Sequence, residues 1–160
     1  MLETVLQSFV DQIATLYEKD VFCHIGNSGN IVRELTQLSK NNSKRFPLFA
    51  FMRPFKIIDN GDHYDVTIRR VAIATVTYGV GELDKIRYNF DPELRPLNEL
   101  FKQVLTEDKR VICGVNGVNY TSEDVPYFNV NMEPDSGEKM DGIIIDNLNI
   151  KINKSKLNCN

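Results

Sequence analysis

Asn60-Gly61, bracketed by Asp59 and Asp62, separates two long runs rich in β-branched and aromatic residues. An Asn-Gly pair between such runs is the strongest short signal for a β-hairpin, because both residues tolerate the left-handed backbone of a type I′ turn. The arms span residues 46–58 and 64–78, and a hairpin this long belongs at the centre of a sheet. Pro47 and Pro54 lack the amide that a central strand donates, which places the first arm near an edge or at a bulge. Strict alternation in the second arm puts Val66, Ile68, Ala72, Ala74 and Val76 on one face. The other face starts polar with Thr67 and Arg69 and continues with Val71 and Ile73, so the middle of the strand is expected to be buried on both sides. One side calls for helices of the same domain. The other calls for more of this chain or for a second subunit.

The rest of the chain supplies cover for this hairpin. Leu2, Leu6, Phe9, Ile13 and Leu16 recur at spacings of four and three, which predicts an amphipathic helix over residues 2–18, widened by Val5, Val10 and Tyr17. A short apolar run at 21–25 and the turn formers of 26–30 precede a narrow stripe, Ile31, Leu35 and Leu38, read as a surface helix to about residue 40. Asp91 reads as an N-cap with Pro92 in the first turn, opening a helix through Leu94, Leu97, Phe101, Val104 and Leu105. Further on, residues 110–115 and 118–121 are expected to pair across Asn116-Gly117, with another short strand at 127–132. Residues 133–142 are charged and turn-rich, which predicts a mobile loop. A last strand is expected at 143–152, with Ile144, Leu148, Ile150 and Ile152 facing one way. The fold class is therefore α+β: one globular domain over 1–153, an antiparallel sheet with a central hairpin and two or three flanking helices, and a flexible tail over 154–160.

Composition narrows the function classes. With 160 residues, 42% of them apolar and 26% charged, the chain has enough apolar material for a single core. No apolar run approaches the ~20 residues that span a bilayer, and residues 1–12 lack the basic start of a secretory signal, so no membrane role and synthesis in a cytoplasm are expected. A net charge of −3 without a basic block disfavours nucleic acid as the main ligand. Cys23, Cys113 and Cys159 are odd in number and widely spaced, against both a disulfide framework and a zinc site.

Asp59, Asp62, His63 and Asp65 put four potential metal ligands within seven residues, yet the twelve-residue calcium-loop pattern is missing and alternate strand residues point apart. A polar turn is the simpler reading. Residues 26–30 before a helix lack a Walker ending, and Gly79-Val80-Gly81 is only part of a dinucleotide fingerprint. Cys23 adjoins His24, but neighbours on an extended chain diverge, and no motif pairs either Cys23 or Cys113 with His63. No catalytic, metal-binding or cofactor-binding residues are assigned, and no cofactor is expected.

Residues 45–50 (RFPLFA), 73–77 (IATVT), 84–90 (DKIRYNF) and 94–97 (LRPL) together resemble small virion proteins of tailed bacteriophages, of the tail-terminator and head-to-tail connector (neck) group and of the type found in phages of Bacteroides-like hosts. The resemblance covers roughly residues 22–105; beyond Glu107 only Pro126-Tyr127-Phe128 stands where that group has a Tyr-Trp-Gly stretch. It implies an antiparallel sheet flanked by helices and assembly into a hexameric or dodecameric ring. It also implies neighbouring neck, portal or tail proteins as partners, DNA passing at most non-specifically, no catalysis and a place in the virion. Interface candidates are Phe49, Phe51 and Arg53 on the first arm, Arg69, Arg70, Val71 and Ile73 on the second, and Glu133, Asp135 and Lys139 in the charged loop. Two other classes stay open: a small hydrolase or nucleotide-binding enzyme using His63 and its neighbouring acids, and a monomeric module that binds a peptide along an exposed sheet edge.

Overall fold

The computed structural model describes residues 1–27, 46–76, 81–128 and 140–157. The elements are α1 (Leu2–Tyr17), β1 (Phe22–Gly26), β2 (Leu48–Asp59), β3 (His63–Val76) and a short α2 (Glu82–Lys85) that runs on as a π-helical segment (Ile86–Leu94) into α3 (Arg95–Glu107). Then come β4 (Val111–Ile112), β5 (Glu123–Phe128), β6 (Met140–Asn153) and a 3₁₀ turn (Lys154–Lys156). The fold is a single α+β domain. Its six-stranded sheet has the order β1-β2-β3-β6-β4, with β5 also paired to β6. Every pairing is antiparallel except β1 with β2, which is parallel.

The hairpin stands where Asn60-Gly61 places it, but only Gly61 takes a positive φ (88°), so the turn is not type I′. The Asn60 amide donates to the His63 carbonyl at 3.0 Å, and the Gly61 amide donates to Asp59 Oδ1 at 2.8 Å. This Asx contact shapes the tip in place of a second left-handed residue.

Strict alternation fails along one line across the sheet. The β2–β3 register shifts between Met52 and Phe55, at the Pro54 that lacks an amide. β3 and β6 cross the same line at Arg69 and Asn147, and Asn147 is left-handed at φ 54°. A residue that breaks the pleat reverses which side chains face which way beyond it. Val66 and Ile68 therefore share a face with Val71 and Ile73, while Ala72 and Ala74 occupy the other. Ile143 and Ile145 likewise join Leu148, Ile150 and Ile152, and Ile144 faces the opposite way. Arg70 spans the break by pairing with Asp146 across the strands, at 2.7 and 3.0 Å.

The larger core lies between this sheet and the helices. Leu2, Val5, Leu6, Phe9, Val10 and Ile13 of α1 and Leu97, Phe101, Val104 and Leu105 of α3 pack on it, whereas Leu16 is exposed. Phe101 is its hub, with ring centroids 5.4 Å from Phe49, 6.1 Å from Phe51 and 6.0 Å from Tyr120. On the opposite face Leu48, Ala50, Met52, Ala72, Ala74, Met140 and Ile144 form a second buried cluster, with Phe22, Phe46 and Val125 packed against it. The double burial expected of β3 is present within one chain, so no second subunit is needed to cover this face.

Other boundaries differ from expectation. Asp91-Pro92 lies inside a continuous helical stretch rather than opening one, because the π-type geometry, with the Arg95 amide donating to the Phe90 carbonyl, carries the chain past the proline. Gly114 and Gly117 form only an isolated bridge, and β4 pairs with β6 instead of with residues 118–121. The strand expected at 127–132 begins at Glu123, and residues 140–142 belong to β6 rather than to a loop. The chain beyond 153 is docked as far as Leu157: the Lys154 amide donates to the Asp62 carbonyl at 3.1 Å, and Leu157 packs against the core. The helix expected at 31–40, the segment 129–139 and Cys159 lie outside the described residues.

Candidate functional site

The sequence drew attention first to the hairpin end. Asp59 accepts from Gly61 and from Lys154, and these two bonds lower its carboxyl pKa, Lys154 having the larger effect. His63 sits between two carboxylates, with Nδ1 2.5 Å from Asp62 Oδ1 and Nε2 3.5 Å from Asp65 Oδ1. Asn60 donates to the other Asp65 oxygen at 2.5 Å. These residues are committed to one another and to closing the turn. Among the described residues no group of three His, Cys, Asp or Glu side chains is arranged to hold a metal ion. Cys23 is a poor nucleophile, since burial, with some help from Asp11, pushes its thiol up to about 12 and keeps it protonated at neutral pH.

A second cluster ties α1 to the end of α3. Asp108, whose side chain is only 5% exposed, accepts from Arg110 Nε at 2.9 Å, Arg110 Nη2 at 2.6 Å and Gln12 Nε2 at 2.8 Å. Arg110 also donates to Ser8 Oγ at 2.6 Å and lies over the Phe9 ring at 5.3 Å. Burial raises the Asp108 pKa, but the bonds from Arg110 and Gln12 outweigh it and bring it down from 3.8 to about 2. A carboxyl with a depressed folded-state pKa contributes stability that is complete above its unfolded value and is lost as pH falls through the folded one. Between pH 5 and pH 2 the wild type should therefore lose ~1 kcal/mol more stability than Asp108→Asn, after allowance for solvent screening. Chemical denaturation at the two pH values checks this, and equal losses would contradict it.

The third feature is a segment turned inside out. In α2 and the π-helical run the polar Lys85 and Asn89 are buried, while Leu83 is 81% exposed, Tyr88 59% and Ile86 38%. The inward pair converges on Asp141 of β6, which is fully buried. Lys85 Nζ donates to one Asp141 oxygen at 3.2 Å and Asn89 Nδ2 to the other. Phe90 and Leu94 anchor the same stretch in the core. A rigidly held apolar surface that faces solvent is the usual mark of a docking site. At the far end of the sheet, Met1, Leu2, Val5, Ile57, Tyr64 and Leu157 line a small apolar depression with room for no more than a water molecule. Ile57 is 47% exposed there.

Protein-family models, curated proteins and solved structures were compared with this chain, and none matches.

The interface candidates divide sharply. Phe49, Phe51, Val71 and Ile73 are 0% exposed in the chain's own core, on the face of the sheet that the helices cover. They are core residues, and a neighbouring subunit has no access to them. Arg53 is exposed and bonded to Glu3, Arg69 is exposed, and Arg70 is half-buried on Asp146. Glu133, Asp135 and Lys139 lie outside the described residues. The residues missed are Leu83, Ile86 and Tyr88. An available signal was that Lys85 and Asn89, four apart, fall on the side of a helix that leads to Phe90 and Leu94. No helix among the described residues is long and apolar enough to cross a membrane.

Proposed function

We propose that this protein is a non-catalytic structural subunit of a tailed-phage virion, forming a homo-oligomeric ring in the neck or tail. The observation that carries this reading is the inverted segment: Lys85 and Asn89 are spent on holding Leu83, Ile86 and Tyr88 outward, where they stay exposed among the described residues. Further support comes from the resemblance described above and from the α+β fold it implies. An outward apolar surface of this kind suits a subunit contact in a ring. Mild acidity also suits a channel through which DNA slides without adhering. Portal, neck or tail neighbours would then be its other partners.

Negative-stain electron microscopy of the purified full chain is expected to show closed rings of six or twelve copies, and a field of dispersed single subunits would overturn the proposal. A second reading, a peptide-binding module, is favoured by β1, which ends the sheet order with no strand on its outer side among the described residues. It differs in stoichiometry, giving one-to-one complexes.

A further inference from the structure

We propose that Asn116 is a site of spontaneous deamidation, and that the fold protects the chain's other Asn-Gly pair, Asn60-Gly61, from the same reaction. The reaction needs no enzyme or cofactor, only water. The Gly117 amide nitrogen gives up its proton to solvent base and attacks the side-chain carbonyl carbon, Cγ, of Asn116. A C–N bond forms, the Cγ–Nδ2 bond breaks, and ammonia leaves with a proton taken from water. Water then opens the resulting five-membered imide at either carbonyl, giving aspartate or isoaspartate. A glycine after the asparagine favours ring closure because no side chain obstructs it.

Two conditions decide whether such a pair reacts, and the two turns differ in both. The carboxamide must be free to swing onto the next amide, and that amide must be able to lose its proton. At the hairpin tip neither condition holds. Asn60 Nδ2 donates to Asp65 at 2.5 Å, which fixes the carboxamide in place, and the Gly61 amide donates to Asp59 Oδ1 at 2.8 Å. Removing that proton would leave an anionic nitrogen facing a carboxylate, which electrostatics opposes. At residues 114–117 both conditions hold. Asn116 is exposed, and its side chain has no hydrogen-bond partner among the described residues. The Gly117 amide donates to the Gly114 carbonyl at 2.9 Å, a neutral acceptor in an isolated bridge at the surface. A single turn bond of this kind opens at low cost and leaves the amide to solvent. The isoaspartate product inserts one methylene into the main chain of a tight turn. Gly117 is left-handed at φ 73°, and a Cβ there would lie 2.7 Å from Thr106 Oγ1, the oxygen that accepts from the Val118 amide at 3.2 Å. Lengthening the turn therefore loosens the tie between α3 and the chain after β4.

The test ages the full-length wild type in mildly alkaline buffer, both native and in guanidinium chloride, and then quantifies the two Asn-Gly peptides by mass spectrometry. Relative to its own rate in denaturant, Asn60 should be slowed in the native protein roughly tenfold more than Asn116, since charge-assisted bonds must break first. Asn116→Ser, at an exposed turn position, should remove the native product and leave circular dichroism unchanged. Equal slowing of the two sites, an Asn116 that stays intact in the native protein, or a product on that peptide that persists in Asn116→Ser would overturn the proposal. Hydrogen exchange at the Val118 amide should also rise in the aged wild type, and unchanged exchange would overturn the loosened tie.

Discussion

Asp141→Ala is expected to lower the stability of this protein by ~3–5 kcal/mol, because it removes a fully buried carboxylate that accepts from both Lys85 and Asn89. The Lys85 side chain is only 8% exposed and Asp141 is fully buried, so the pair is screened little by solvent. Removing both members tells a different story. A Lys85→Met/Asp141→Leu double variant fills similar volume without charge, and it should recover most of the loss in a denaturant titration. A single-variant cost below about 1 kcal/mol would mean that the pair is solvated and does not anchor the segment. The same substitution bears on function, since Asp141 holds the helical run that presents Leu83, Ile86 and Tyr88.

Phe101→Ala should cost ~3–5 kcal/mol for a different reason. Phe101 packs edge-on against Phe49 and Phe51 and touches Tyr120, so truncation opens a cavity at the one point where α3, β2 and the chain after β4 converge. Tyr120 is pinned by its hydroxyl, which donates to the Asn98 carbonyl and side chain at 3.1 and 2.9 Å, and it cannot swing in to fill the space. A loss under about 1.5 kcal/mol in the same titration would indicate that the core collapses around the gap.

Local chemistry made several parts of the fold readable. The spacing of Leu2, Leu6, Phe9 and Ile13 marks α1, and Asn60-Gly61 marks the hairpin. The run from Val71 to Ala74 is buried on both faces as its composition implies. What the pattern hid was a tertiary event: three adjacent strands break their pleat together at Pro54, Arg69 and Asn147. Alternation read along one strand assumes an unbroken pleat, so it assigned Ala72 to the face of Val66 and Ile144 to the face of Leu148. The same assumption put Val71 and Ile73 on an assembly surface, and the edge inferred from the prolines of the first arm did so for Phe49 and Phe51, when all four are the centre of the core.

The candidate site was obscured for a related reason. Asp91-Pro92 has the composition of a helix start, and only the π-helical geometry of Ile86–Leu94 lets the helix continue through it. A helix assumed to begin at Asp91 leaves Leu83, Ile86 and Tyr88 in a connection whose facing cannot be read. Once the segment is helical, Lys85 and Asn89 fall inward onto Asp141, a partner 56 and 52 residues away, and the apolar residues fall outward. Nothing local to residues 82–90 announces that partner.

The central claim is that this chain acts by assembling with copies of itself, and its mass in solution tests that most directly. Native mass spectrometry of the wild type should give a discrete species at six or twelve times the 18.3 kDa subunit. A single species at 18.3 kDa, unchanged as concentration rises, would contradict the account.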